Sequence, residues 1–409
     1  MNRLFLGTLL AASFVHGVVE LRTASACGGC FAPQGQPSTV TAHRMAVALS
    51  AEQTTLWDQF EYAGAPEDFV WVLPISGGQD VSIELSDDAF FESLQAATQV
   101  TLTAPTPPFS GGGGSGFGCG DSDFRAAAPA SNEMSAVTVF RSETVGPYET
   151  VVIGSEDPNA LVDWLQTNGY AVPNELLPTI DHYVGDGLNF AVLRLSPGQG
   201  VQHIQPVRVS SPGLNMTFPL RMVAAGIGAA VSLELFVLAE GRYEAENFPN
   251  EIIDRDALTY DWDSNLFNYD QLADVALGAN DGRTWLTEFA APVNRGFVDV
   301  SYEDDAGMLH TSVPDWNHVF DTVGRQPEVT RMRAELRAEH LGEDLILAAS
   351  LGPDITGNIQ VTNELNRPGA VFGPNLSGRG NPWNYAYPLV FLVAGAFLLR
   401  RRATRTIRS

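Results

Sequence analysis

Short apolar runs and alternating apolar and polar positions predict that much of the chain forms β-strands. Residues 69–75 are continuously apolar, which is typical of a fully buried strand. In residues 81–85 apolar and polar side chains alternate, as in a strand with one exposed face. Similar signals predict strands at residues 40–49, 55–62, 137–141, 148–153, 188–195, 207–209, 220–224 and 231–238.

Residues 330–337 fit two patterns. Apolar and charged side chains alternate strictly, which favours a half-buried strand, although Val329, Met332 and Leu336 also fit one face of a helix. In the strand interpretation the charged side chains lie on the opposite side from the apolar ones, and they are Arg331, Arg333, Glu335 and Arg337.

Helices are predicted where capping residues precede an amphipathic segment. Ser86 is expected to cap a helix with two aspartates in its first turn. Asp157 and Pro158 begin a second, and residues 269–277 form a third that Gly278 ends. Strands and helices do not alternate as a doubly wound parallel sheet requires. We therefore predict an α+β, β-rich fold, with mixed or antiparallel sheets and a few inserted helices.

Composition changes along the chain divide it into regions. At roughly 150 residues per domain, 409 residues predict two or three units. The glycine- and proline-rich residues 106–135 are interpreted as a loop or linker; they contain a G-x-G-x-x-G match, but the flanking strand and helix of a nucleotide site are missing. The predicted units are a first β-rich unit at 27–105, a second with a helix at 136–247, and a third α+β region at 248–370.

Both ends of the chain predict export and membrane attachment. Residues 1–26 have the charged start, apolar run and small-x-small ending of a signal peptide. Residues 385–399 carry no charge and are followed by an arginine-rich tail at 400–409, which is typical of a transmembrane helix with a cytoplasmic end. Residues 371–384 would then form a stalk. We expect an exported, single-pass membrane protein whose body is extracytoplasmic, in the periplasm or at the cell surface.

Three cysteines, Cys27, Cys30 and Cys119, are the disulfide candidates. In an exported protein they allow one disulfide and leave one thiol, and each of the three pairings can form. Cleavage after Ala26 would place Cys27 at the mature N-terminus, where lipidation is an alternative fate, although Ala24 stands where a lipobox normally has leucine.

The charge composition excludes several classes of chemistry. All 23 basic residues are arginine, so a P-loop lysine, a Schiff-base lysine and a Ser-Lys dyad are ruled out. The formal net charge of −25 argues against nucleic acid as a partner.

No motif in the sequence predicts catalytic, cofactor-binding or metal-binding residues. Asp261, Asp263 and Asn265 resemble the opening of a calcium loop, but Leu266 and Leu272 stand where an EF-hand needs glycine and glutamate. The seven histidines lack the spacing of a zinc site, and no G-x-S-x-G elbow is present. We therefore expect no metal or cofactor.

Several runs resemble a family of uncharacterised bacterial exported proteins, the domain-of-unknown-function family 2330. The resemblance covers most of the chain between the signal and the tail, and it implies no function or active site. The runs are residues 27–31, 67–74, 145–149, 161–170, 285–288, 329–333 and 343–345.

Taken together, these features predict a membrane-anchored extracytoplasmic protein with a non-catalytic binding or structural role in the bacterial cell envelope. Its partner would be an envelope protein or polysaccharide. Two alternatives remain: a hydrolase-like enzyme whose site is assembled by the fold, and a thiol-active protein that uses Cys27 and Cys30.

Overall fold

Most of the predicted strands belong to two main sheets in a computed structural model of the chain. The structure describes residues 30–31, 39–63, 70–106, 137–169, 172, 174–196, 204–224, 230–304 and 307–367. All of these residues belong to one compact unit that ends at Arg367. Its strands are β1 Cys30–Phe31, β2 Thr39–Leu49, β3 Gln53–Ala63, β4 Val70–Ile75, β5 Ser82–Leu85, β6 Thr101–Thr103, β7 Val137–Val145, β8 Tyr148–Ser155, β9 Asn189–Leu195, β10 Val207–Pro212, β11 Thr217–Phe218, β12 Ala230–Ala239, β13 Tyr243–Ala245, β14 Asn250–Glu251, β15 Thr259–Asp261, β16 Leu266–Phe267, β17 Trp285–Pro292, β18 Ser301–Glu303, β19 Leu309–Thr311, β20 Glu328–Arg337, β21 Leu345–Ala349, β22 Asn358–Gln360 and β23 Asn363–Leu365.

Six α-helices accompany these strands in the described part of the chain. They are α1 Asp88–Thr98, α2 Pro158–Thr167, α3 Leu177–Gly185, α4 Leu220–Val223, α5 Tyr269–Gly282 and α6 Val313–Thr322. The β-rich α+β class predicted from the sequence is confirmed.

The larger sheet has eight strands in the order β14-β17-β20-β12-β2-β3-β10-β5. Its β2–β12 and β14–β17 pairs are parallel and its other pairs antiparallel, so the sheet is mixed. Strands from all three predicted regions, 27–105, 136–247 and 248–370, contribute to it. The second sheet, β1-β4-β9-β8-β7, is antiparallel throughout.

Apolar side chains pack the elements in layers. One cluster joins the two sheets, with Trp71 and Tyr148 from the five-stranded sheet and Val207 from the eight-stranded sheet. Helices α2 and α3 cover the outer face of the five-stranded sheet. Helices α1 and α6 cover the other face of the eight-stranded sheet, where Phe90 and Trp316 are fully buried. This helix-covered face carries the polar groups described below.

Three local predictions need comment. Residues 220–224 are helical at α4 and not a strand; Pro219 precedes this apolar run, whose type periodicity alone could not decide. Asp87, and not Ser86, caps α1, because the Ser86 hydroxyl donates to Asp315. Residues 330–337 form a strand, as their alternation favoured.

The signal peptide predicted at residues 1–26 and the transmembrane helix predicted at 385–399 lie outside the described residues. Among the helices that are described, none is both long enough and apolar enough to cross a membrane.

Candidate functional site

A β-bulge on β17 directs Glu288 into the helix-covered face of the large sheet. The register between β17 and β20 shifts between Thr287 and Phe289, so Glu288 has no partner on β20. Its neighbour Leu286 packs against α5, whereas Phe289 packs in the cluster that contains α1 and α6. A bulge commonly re-aims a side chain in this way. Glu288 therefore lies between the part of this face that α5 covers and the part that α1 and α6 cover.

Glu288 is the centre of a buried ionic network. It is 8% exposed, and its Oε1 accepts a hydrogen bond from Tyr269 Oη at 3.0 Å. Arg333 Nη2 lies 3.2 Å from the same oxygen, and Arg331 Nε lies 3.5 Å from Oε2. Arg331 also ion-pairs with Glu234 of β12 at 2.5 Å. Two guanidinium groups and two carboxylates thus balance one another on three adjacent strands.

The arginines of this network bring more donors than the carboxylates accept. The Nε atoms of Arg331 and Arg333 are buried, and neither has a hydrogen-bond partner in the described part of the chain. A guanidinium carries five N–H donors in a fixed planar arrangement. Buried donors without acceptors are unfavourable, so these two N–H groups add to the cost of burying the network.

A cavity of about 430 Å³ lies over this network. Its volume is within the range of about 300–1,000 Å³ that is usual for small-molecule sites. Glu288, Arg331 and Arg333 form its charged side. The rest of the lining is apolar or aromatic at Val100, Leu102, Leu266, Phe267 and Tyr269. It also includes the side-chain amides of Gln95, Gln99 and Asn265 and the carboxylate of Asp270.

Tyr269 acts as a donor in this cavity and not as a base. Burial raises the pKa of its phenol, and the adjacent carboxylate of Glu288 raises it further. The phenol therefore remains protonated at neutral pH and keeps its hydrogen bond to Glu288.

A second polar cluster, around His318 of α6, lies beside β3 and β10. His318 Nε2 is 2.9 Å from Thr55 Oγ1, 3.1 Å from Gln53 Nε2 and 3.4 Å from Ser210 Oγ. Burial, followed by the charge of Arg208, lowers the pKa of His318 to about 4. The ring is therefore neutral and accepts hydrogen bonds at Nε2. A base of such low pKa is poorly matched to activating a serine at neutral pH.

Asp315, one turn before His318, is a buried carboxylate with three donors. It is 2% exposed and accepts hydrogen bonds from Trp57 Nε1 at 2.7 Å, Ser86 Oγ at 2.8 Å and Arg208 Nη1 at 2.8 Å. These bonds join α6 to three strands or their ends, so Asp315 fixes the helix on the sheet.

An acidic group that could suggest a metal site is occupied by an arginine. The ligand atoms of Asp281, Glu339 and His340 all lie within 4.8 Å of one another. Arg337, however, ion-pairs with Asp281 at 2.9 Å and with Glu339 at 2.6 Å. Both carboxylates are therefore already paired with one guanidinium, which offsets one of their two negative charges.

The acidic loop singled out in the sequence is a hydrogen-bonded turn. Asp261 accepts bonds from the Asp263 N–H at 3.0 Å, Ser264 Oγ at 2.9 Å and Asn366 Nδ2 at 2.9 Å. Hydrogen bonds, chiefly that from Asn366, lower the pKa of Asp261. Its carboxylate oxygens are thus used within the protein.

The disulfide candidates can be placed only in part. Cys30 lies in β1, where its backbone pairs with Trp71, whereas Cys27 and Cys119 lie outside the described residues. Their pairing stays a prediction.

Residues 21–345 match the family described as "Uncharacterized protein conserved in bacteria (DUF2330)". The chain belongs to this family. The matched range contains every residue that lines the cavity. Two of the runs that carried the resemblance, 285–288 and 329–333, lie on neighbouring strands and supply Glu288, Arg331 and Arg333.

Comparison with other proteins adds no function to the family assignment. No curated protein matches the chain. Two crystal structures of a mutated baculovirus P35 after caspase cleavage, at 2.7 and 3.1 Å resolution, match at 8% identity with TM-scores of 0.33 and 0.30. Each match covers 76% of this chain, and 100% and 98% of those chains respectively. Similarity this low supports no conclusion about the family.

No motif in the sequence identifies the cavity residues as a site. Glu288 and Arg333 are separated by a helix and two strands in the chain, and no motif spacing connects them. Two features of the sequence do fall at this site. One is the alternation of arginines in residues 330–337. The other is the pair of runs that resemble the family, 285–288 and 329–333, which lie on neighbouring strands.

Proposed function

We propose that this bacterial protein is an exported, membrane-anchored component of the cell envelope that binds a small polar ligand without transforming it. The observation that carries the proposal is the cavity of about 430 Å³ over the Glu288 network. It combines an apolar wall with a few convergent polar groups, the composition expected of a ligand site.

The electrostatics of the cavity favour binding over catalysis. Glu288 is held by ion pairs with two arginines and by a hydrogen bond from Tyr269, so its oxygens are already engaged within the protein. A general acid or base needs a pKa near the working pH, and the raised pKa of the Tyr269 phenol lies far from it. The hydrolase alternative would rest on His318 and Ser210, and the low pKa of that histidine argues against it.

A ligand-binding experiment tests this role. The full chain would be screened by thermal shift against a panel of simple sugars, amino acids and short carboxylic acids, and hits measured by calorimetry. Gln95→Trp would partly fill the cavity from α1 and should abolish binding. The matched variant Ala96→Trp introduces the same indole at the next residue of α1, which is exposed and outside the cavity lining, and should retain binding. Equal binding by both variants would exclude the cavity as the site.

The envelope location is proposed from the sequence alone, and intact-mass analysis of membrane-extracted protein tests it. Loss of residues 1–26 with retention of 385–399 is expected. A mass that includes residues 1–26 would contradict the signal peptide, and loss of the tail would contradict the anchor. An added diacylglycerol would identify Cys27 as lipidated.

A further inference from the structure

The charges around the cavity disfavour a strongly charged ligand. Its lining contains two cations, Arg331 and Arg333, and two anions, Glu288 and Asp270, so the formal charges cancel. Glu234, which ion-pairs with Arg331 from the neighbouring strand, adds negative charge. An anionic ligand would meet these carboxylates, and a cationic ligand would compete with the arginines for Glu288. An anionic ligand would lose hydration without an unpaired cation to offset it, and a cationic ligand would find only the exposed carboxylate of Asp270.

The hydrogen-bonding groups of the cavity offer both donors and acceptors. The side chain of Arg333 is 33% exposed, and its guanidinium carries more N–H donors than the single ion pair with Glu288 uses. The side-chain amides of Gln95 and Gln99 form no hydrogen bond with the described part of the chain, and each offers two donors and an acceptor. Planar groups of this kind bind pairs of neighbouring hydroxyls, because a hydroxyl both donates and accepts.

Another part of the cavity lining is apolar and partly aromatic. Val100, Leu102 and Phe267 belong to the edge of a small apolar cluster, and Leu266 is 66% exposed at the opening. A ligand that matches both parts of the lining must have a hydroxyl-rich edge and a C–H-rich face. A sugar ring has both.

From this combination we propose that the cavity binds a neutral saccharide. The ring edge would lie against Arg333 and the two glutamines, and its C–H face against Phe267 and the leucines. This inference rests on the proposed binding function and names the ligand class for the same cavity.

The test is calorimetric titration of the full chain with neutral sugars, maltose and the disaccharide of N-acetylglucosamine, and with two charged compounds, citrate and lysine. We expect at least one neutral sugar to bind, with an affinity that changes little with salt because no net charge is paired. Arg333→Gln should weaken that binding about tenfold or more, since hydrogen bonds to a charged donor are lost.

Two further variants keep the test independent of folding. Arg337→Gln removes an ion-paired arginine from the same strand outside the cavity lining and should leave affinity within about twofold. Gln99→Ala changes only an exposed residue at the cavity and should weaken sugar binding even if Arg333→Gln fails to fold.

Each other outcome is decisive. Salt-sensitive binding of citrate or of lysine, without binding of any neutral sugar, would overturn the saccharide class and leave the binding function standing. Sugar binding that neither Arg333→Gln nor Gln99→Ala weakens would place the sugar elsewhere and overturn the inference. Absence of binding by every compound here and by the wider screening panel would overturn both proposals.

Discussion

Replacing Asp315 with alanine should destabilise the fold more than a typical surface substitution does. The change leaves Trp57 Nε1, Ser86 Oγ and one side of the Arg208 guanidinium without an acceptor in a buried setting. Breaking a buried ion pair by removing one partner costs about 3–5 kcal/mol. Arg208 keeps its ion pair with the more exposed Glu84, so we expect a loss of about 3–4 kcal/mol in the free energy of unfolding.

Asp315→Asn removes the charge of this side chain and keeps its shape. Burial raises the pKa of Asp315, and the donors around it offset this only in part. The folded chain therefore holds this proton at a pH where the unfolded chain has released it. Stability from this group falls as pH rises from the ordinary aspartate pKa, about 4, through the raised folded value. Asparagine removes that slope and should cost about 1–2 kcal/mol, because its amide has one acceptor oxygen where the carboxyl group has two.

Urea unfolding followed by far-ultraviolet circular dichroism measures both effects. Asp321→Ala is the matched control, because Asp321 is an exposed aspartate on the same helix. It should change stability by no more than about 0.5 kcal/mol. If Asp315→Ala and Asp321→Ala lost equal amounts, the reasoning about the buried network would be refuted.

Two further predictions concern titrating groups. His310 lies 3.1 Å from Asp87 and 3.6 Å from Asp304; although burial alone would lower its pKa, these carboxylates raise it. Its stabilising contribution is complete below the unfolded pKa of about 6.5 and is lost as pH rises through the folded value. The deficit of His310→Gln in thermal unfolding should therefore be larger at about pH 6 than at about pH 9, and equal deficits would contradict this. Glu288→Gln should lower the pKa of Tyr269, because the charge that opposes the phenolate is removed. The pKa of Tyr269 would be measured by alkaline absorbance titration with and without Glu288→Gln, and Tyr269→Phe shows which part of the absorbance change comes from this phenol. An unchanged pKa of Tyr269 in Glu288→Gln would contradict the prediction.

The local elements were predictable because their signals are local. Asp157 and Pro158 begin α2 as expected, and the apolar run before Ser76 is a buried strand. Regular helical dihedral angles also cease after Gly278, where a stop was predicted. The error at residues 220–224 came from a short apolar run, in which strand and helix have the same appearance.

The site was not predictable because it depends on which face of the sheet the helices cover. Alternation placed Arg331 and Arg333 opposite the apolar side chains, but it could not show that helices cover that side and bury Arg331 to 8% exposure. No local signal in the sequence predicts the bulge that directs Glu288 to this side of the sheet. Nor does one predict that β17 and β20 pair beneath the first turn of α5.

The position of β2 and β3 at the centre of the large sheet has a consequence for how the chain acquires its structure. This hairpin is made first, yet its two outer edges pair with β12 and β10, which lie well over a hundred residues later. Sheets dominated by such distant pairings form slowly, because the entropy of closing long loops is lost before the contacts are gained. Until residue 239 is available, β2 exposes an unpaired edge that can pair wrongly with another chain. We therefore expect refolding to be slow and its yield to fall steeply as protein concentration rises.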